Sequence, residues 1–514
     1  QASFGSAAGL GSPLPTAPSI IFERRKARWE RAVWAAMPAA DRQGSARKRA
    51  LSPFGRTWMN GLYAKEMNVP EPTITAVIYF DTPPSRETCM KEFEEHIWPL
   101  YRFNSRVEND NFLPVEGPMD RSYHFSEQEV VGEADVDAYA QSVMAKPLLR
   151  THPLWTVTLV RARQGRSAVV LRVHHVISDG LGLLFAFLPL MKCEDGDVLQ
   201  KIPLPAMLLG KHAARARPPS GAPPRDRAPR KRCVGPISCL AGVCKAAQMF
   251  LRGVFSILLM KEDAELKCNA SKASRKPFLP YNGQRVFTRM PPVPTSAIKA
   301  VRTAHGCTFN DAIMAAMSGA FRRYLQENLK DPLAGSTECK AFMLLGLPRP
   351  VDPKDASVSL ANSILTPVFK LPIGEASPRG RLRQTVVMCN DLKSMWYIMG
   401  IKMTTKFLTS VVPTGFMRSI TSEAVSKCTA NITNLPLPDV PTTFCGQEMK
   451  EVQCLFVNAI PQISMLSYNN FLHWNVVADP AVMPNAEALG RHLIAEFDAL
   501  AQESSCGTPA ASEW

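Results

Sequence analysis

SAVVLRVHHVISDGLG, Ser167 to Gly182, is the stretch from which the rest of the chain is read. Its first half is a run of β-branched and aliphatic residues, Val169, Val170, Leu171 and Val173, which predicts a buried strand; its second half turns at Asp179-Gly180. Two histidines therefore stand where a strand runs out. Under the alternation of a strand, His175 shares a face with Val173, Leu171 and Val169 while His174 points the other way, so at most one of them looks into a given cavity. A lone histidine in such a place is most often a satisfied core residue. Here the pair, a three-residue spacer and Asp-Gly form the pattern HHxxxDG: His174, His175, Val176, Ile177, Ser178, Asp179 and Gly180. Asp179 lies beyond the turn, which predicts a structural role, pairing with an arginine to hold the loop, and Gly180 is expected to let the chain turn tightly.

Working outward, 514 residues suffice for two or three domains and a sizeable core, and with 46% hydrophobic residues the chain is not a disordered one. A formal net charge of +15 calls for an anionic partner: nucleic acid, anionic lipid or a phosphorylated substrate. Thirteen cysteines, scattered and without a CxxC pair or metal-ligand spacing, read as reduced thiols in a cytosolic setting, with no metal site.

The N-terminal part predicts a Gly/Ser/Ala/Pro segment at 1–18, expected to be disordered, and a basic, Trp-bearing helix at 20–37 that suits either a membrane surface or packing on the core. The folded part starts near Leu51. Thr73–Phe80 reads as a strand, and Arg86–Tyr101 as a helix with Met90, Phe93, Ile97 and Trp98 on one face. WTVTLV, from Trp155, forms a hairpin with the motif strand across residues 163–166. Between Lys201 and Lys276 the composition shifts: cations from Lys211 to Arg232 alternate with prolines, and then Pro236–Met260 forms the longest apolar stretch. Ser238, Lys245, Gln248, Arg252 and Ser256 fall on one stripe of that helix. This favours an interfacial helix over a membrane span, with a buried helix bridging two lobes as the alternative. In the C-terminal half, Thr308–Leu325 predicts a helix that Asn310-Asp311 would cap, and Ala341–Leu347 a strand leading to Pro348-Arg349.

HHxxxDG after a strand resembles the active-site motif of the acyltransferase superfamily typified by chloramphenicol acetyltransferase. Pro153-Leu154-Trp155 before the preceding strand sharpens this to the wax ester synthase/diacylglycerol acyltransferase family. Asn310-Asp311, Pro348-Arg349, Ala361-Asn362 with Leu371-Pro372, Asn434 within TNLPLP, and Ser467-Tyr468 resemble that family's later blocks, although Leu437 stands where the family usually has glycine. The resemblance covers about Leu51 to Ala501, interrupted by 201–276. It implies an α/β fold of two lobes, each a mixed sheet with flanking helices, around a central active-site tunnel. The expected layout is a basic N-terminal segment to residue 50, an N-terminal lobe at 51–200, a linker with a membrane-associated helix at 201–276, a C-terminal lobe at 277–505 and a tail.

The implied reaction moves a fatty acyl group from acyl-CoA, a co-substrate and not a bound cofactor, to a long-chain alcohol or diacylglycerol. Its chemistry needs a base that takes the hydroxyl proton and returns one to the leaving thiolate, which suits an imidazole titrating near pH ~6.5. The implied catalytic set is His175, with His174 and Asp179. Gly180 and Arg349 would support the motif, and Pro153, Leu154, Trp155, Asn310, Asp311 and Asn434 would meet substrate. Lipid substrates and the basic linker suggest a membrane surface of anionic lipid as partner, on the cytosolic face of the endoplasmic reticulum or a lipid droplet. A superfamily acyltransferase with another hydroxyl or amine acceptor, and a non-catalytic lipid-binding relative, stay open. Nucleic acid is not expected, because no reader motif is present.

Overall fold

The computed structural model describes residues 48–194, 196, 198–203, 236–256, 259–269, 283–347, 360 and 362–505. Two mixed sheets organise it. The first has five strands in the order Glu451–Phe456, Thr73–Phe80, Ser167–His174, Trp155–Ala162 and Phe125–Val130. The expected hairpin is there, with Trp155 opposite Val173 and Leu159 opposite Val169, and its loop turns at Gly165, where φ is +76°. Every residue of the motif strand is buried, in keeping with the aliphatic run Val169, Val170, Leu171 and Val173 at its centre. Its two faces join different cores: Val169, Leu171 and Val173 lie among Phe93, Trp155 and Phe187, while Val170 and Ala168 lie among Tyr79, Val136 and Ala140.

The second sheet has seven strands. Its main path runs Val293–Pro294, Phe471–Ala478, Gln462–Tyr468, Ala430–Pro436, Cys339–Met343 and Val368–Leu371, and Val286–Arg289 pairs with Phe471–Ala478. Gln462–Tyr468 and Phe471–Ala478 form a hairpin closed by Asn469 and Asn470, both with positive φ, a conformation asparagine tolerates well. The helix Phe309–Arg323 is buried along most of its length and forms the centre of this half's core.

The halves are interlocked. Glu451–Phe456 comes from the C-terminal half yet pairs with Thr73–Phe80 in the first sheet, Glu451 opposite Tyr79 and Phe456 opposite Ile74. A charged cluster seals this junction: Arg166 lies 2.6 Å from Glu133 and 2.9 Å from Glu451, and Arg289 lies 2.8 Å from Glu133. The guanidiniums of Arg166 and Arg289 hold the Glu133 carboxyl down at about 2.

Pro236–Phe255 is a helix that crosses Met395–Val411 at a glycine pair. A Cβ on Gly253 would stand 2.3 Å from the Tyr397 carbonyl oxygen, and one on Gly400 2.3 Å from that of Phe250, so only glycine allows this approach. Lys245, Gln248 and Arg252 are exposed, and Arg252 pairs with Asp391 at 2.7 Å. The helix is thus packed on one side and open on the other, not fully buried. Among the described residues, no helix is long and apolar enough to cross a membrane.

Candidate active site

The motif strand ends at His174, opposite Thr73, and the chain leaves the sheet with the His175 N–H bonded to the Pro72 carbonyl at 2.8 Å. His174 is fully buried. Its Nδ1 accepts from the Val176 N–H at 3.1 Å, and burial, with His175 and Arg150 nearby, pulls its pKa down to about 3. A ring held neutral and engaged with its own loop is a structural residue that shapes the turn.

His175 has a different environment. Its ring stacks on Trp58 with centroids 3.9 Å apart and planes at 10°, and meets Phe456 edge-on at 5.9 Å. Its Nδ1 lies 2.8 Å from Oδ1 of Asn362, whose Nδ2 donates to the His175 carbonyl at 2.7 Å. The second bond decides the first. Because the amide nitrogen is committed to a carbonyl, the Asn362 oxygen faces the ring, so Nδ1 must carry the proton and the lone pair lies on Nε2. The Asn362 bridge thus fixes both the tautomer and the orientation of the ring.

Asp179 is buried and structural. One carboxylate oxygen accepts from the Gly182 N–H at 3.0 Å, capping the helix Gly180–Phe187; the other accepts from the Ser363 N–H at 2.7 Å, tying the motif to the C-terminal half. Its expected partner Arg349 lies outside the described residues. Among the described residues, Arg102 reaches the loop: its Nη1 donates to the carbonyls of Ile177 at 3.0 Å, Val176 at 3.3 Å and Leu360 at 3.4 Å. Gly180 corrects the expectation of a tight turn. It is the first residue of the helix, its φ is not left-handed, and a Cβ there would make an ordinary 3.7 Å contact with Leu435.

Asn362 and Ser363 reach the site because Leu345–Gly346 pairs with Ile364–Leu365, and Gly346 packs close to Leu181 of the motif helix. Trp58 comes from the helix Pro53–Met59, capped by Ser52, and Phe456 from the crossover strand. Four separate segments thus converge on one imidazole. A cavity of about 340 Å³ adjoins them, lined by Trp58 and Phe456 together with Tyr63, Lys65, Arg150 and Arg418.

The other expected site residues make contacts of their own. Trp155 is fully buried, stacks on His124 and donates its Nε1–H to the Phe103 carbonyl at 2.7 Å; Pro153 and Leu154 are buried beside it, and the Leu154 carbonyl accepts the His174 N–H. Trp155 is a packing residue that braces the motif strand. Thr308 and Asp311, in a reciprocal capping box, cap the helix Phe309–Arg323. Asn310, expected to share that role, instead accepts from Asn434 at 2.7 Å, so the two asparagines of separate blocks do meet. Leu437, in the position usually glycine, is buried with an ordinary backbone, its N–H bonded to the Ser467 carbonyl. Trp58, Arg102 and Phe456 escaped the sequence reading, since nothing in their spacing marks them. Asn362 was quoted there only within a family block, and a single asparagine before a short strand offers no further signal.

With this geometry in place, comparison with known proteins is direct. Residues 128–313 match the wax ester synthase/diacylglycerol acyltransferase catalytic domain, and residues 360–501 match the C-terminal domain of the same family. A Mycobacterium tuberculosis protein provisionally named a diacylglycerol O-acyltransferase is 24% identical over 458 residues, covering 83% of this chain and 87% of its own length. A Mycobacterium bovis protein of the same provisional name is 26% identical over 50% of this chain and 55% of its own. Among solved structures, the wax ester synthase/diacylglycerol acyltransferase of Marinobacter aquaeolei superposes with a TM-score of 0.56 at 15% identity, covering 89% of this chain and all of that one. The first condensation domain of the CDA synthetase gives 0.51 at 12% identity, over 91% of this chain and 98% of its own. The fold is therefore the two-lobed α/β fold typified by chloramphenicol acetyltransferase. The chain belongs to the wax ester synthase/diacylglycerol acyltransferase family and is an acyltransferase.

Proposed function

We propose that the protein transfers a fatty acyl group from acyl-CoA to the hydroxyl of diacylglycerol or a long-chain alcohol, with His175 as general base. The observation that carries this is the Asn362 amide on Nδ1, which leaves Nε2 as the basic nitrogen. Nε2 takes the hydroxyl proton as the oxygen attacks the thioester carbonyl. The tetrahedral intermediate then collapses by breaking the C–S bond, and the imidazolium returns the proton to the CoA thiolate. Stacking on Trp58 keeps the ring from rotating between the two transfers, and a neutral His174 adds no charge against the imidazolium.

The names of the relatives favour diacylglycerol among the acceptors, and the family includes wax ester synthesis. Because both acceptors are water-insoluble, the reading extends to work at a cytosolic lipid surface, of the endoplasmic reticulum or a lipid droplet. The test is thin-layer separation of products from labelled acyl-CoA offered diacylglycerol and a long-chain alcohol in turn. Labelled triacylglycerol or wax ester is expected, and His175→Ala should lower its formation by roughly 10²- to 10⁴-fold with the fold intact. Turnover by His175→Ala at the wild-type rate, or an ester with neither acceptor, would overturn the proposal.

A further inference from the structure

Exposed apolar residues are concentrated in one place. Of the seventeen large hydrophobic residues exposed among those described, six lie on the single helix Met395–Val411: Met395, Trp396, Met399, Met403, Phe407 and Val411, at 38% to 74% exposure. Five of them recur every four residues and so form one continuous stripe along the helix. Phe416 on the next helix is 65% exposed, and Leu251 and Phe255 on the crossing helix Pro236–Phe255 are also open. Scattered exposed hydrophobes need no explanation, but a stripe of this length marks an interaction surface.

We propose that this stripe is the face with which the protein docks on an anionic lipid surface. The helix carries no acidic residue, and Lys402 and Lys406 are exposed along the border of the stripe. Among the described residues neither lysine has a carboxylate partner. Lys245 adds an exposed cation on the crossing helix. An apolar stripe with an exposed tryptophan beside it and lysines along its edge is the pattern of a helix lying in a headgroup layer. A second copy of this chain fits less well, since a two-fold contact on the stripe would bring lysines toward lysines with no acid to answer them.

Position gives the surface a purpose. The same helix lies against Pro53–Met59, which carries Trp58, and against Ile364–Leu365, which follows Asn362; the helix after it contributes Arg418 to the cavity lined by Trp58 and Phe456, the two rings that touch His175. A lipid surface on the stripe would therefore present its acceptor next to the base. This purpose rests on the acyl-transfer reading, but the docking itself does not.

The test is flotation of the full chain with phosphatidylcholine vesicles, with and without phosphatidylserine, alongside sedimentation of the free protein. Met403→Ser combined with Phe407→Ser is expected to weaken vesicle binding by at least roughly tenfold. Lys402→Glu combined with Lys406→Glu should abolish the preference for phosphatidylserine. Both variants should sediment as wild type and turn over a short-chain, water-soluble acyl-CoA and alcohol at the wild-type rate. Should the serine pair melt early, Phe407→Gln alone reads the same effect at an exposed position. Unchanged vesicle binding in the apolar variants overturns the proposal. So does loss of a dimer with vesicle binding intact, which would assign the stripe to a second copy. His175→Ala should still bind vesicles, so a failure of docking and a failure of the acyl-transfer reading are told apart.

Discussion

Asn362 does for His175 what an isolated histidine cannot do for itself: it selects the tautomer. A neutral imidazole in water exchanges its proton between two nitrogens, and only one form presents a base to the substrate. Here the amide bonds both the ring and the backbone of the same residue, so its own orientation is fixed. Asn362→Ala should lower kcat by roughly 10- to 100-fold with little change in KM, since its effect runs through the base and not through substrate binding. Asn362→Asp should retain more activity but move the acid limb of the pH–rate profile upward, because an anionic partner favours the imidazolium. A pH profile of kcat/KM for the two variants checks both; identical limbs in wild type and Asn362→Asp would mean that Nδ1 is not engaged during turnover. Asp179 teaches the complementary lesson. Its two oxygens accept from backbone N–H groups at the head of the motif helix and in the C-terminal half, so it ties the motif to both.

Among the elements, the motif strand and its hairpin partner were legible because a fully buried strand must be written in β-branched and aliphatic residues, whatever surrounds it. The helix Phe309–Arg323 was legible for the same kind of local reason, although its cap is the Thr308–Asp311 box and not Asn310. The helix Pro236–Phe255 was legible as a helix but not in its setting. Its polar stripe predicts one wet face; that its other face closes on Met395–Val411 through Gly253 and Gly400 depends on a helix more than a hundred residues away. Gly400→Val should therefore force the helices apart and cost about 1–3 kcal/mol by overpacking, read as a fall in melting temperature with secondary structure unchanged. A variant as stable as wild type would show that the crossing yields freely.

At the scale of the whole molecule, acid should loosen the fold before it strips the surface pairs. His124 and His174 are buried neutral, their pKa values lowered to about 4 and about 3 by burial, and His473 is lowered as well. The unfolded chain binds protons at these histidines from near pH ~6.5 downward while the folded chain does not. Stability is therefore full above that range and falls by roughly 1.4 kcal/mol per pH unit for each of His124 and His174 as pH drops toward ~4. Glu133, held at about 2 by Arg166 and Arg289, acts later: its contribution is present above about pH 4.5 and is lost only as pH falls through its folded value. Denaturant melts at pH 7, 6 and 5 should show stability already declining across that span. A flat profile down to pH 5 would mean that the buried rings find protons, or partners, in the folded state.

What the chain determined by itself is what neighbours along it can encode. A strand ending in two histidines, a hairpin turn, the period of the main helices and a family's motif were all local, and they carried the fold class and the family. What only the tertiary structure decided is everything that required distant segments to meet. Asn362 stands 187 residues from His175, and Phe456 reaches it only because a C-terminal strand crosses into the N-terminal sheet. Trp58 was an ordinary aromatic on a short helix until the fold laid it flat on the imidazole. The apolar stripe of Met395–Val411 lies at the surface because the other side of the helix, with Gly400, is turned inward. Periodicity reports that a helix has two kinds of face, but which of them meets the core is settled by the packing of the whole molecule.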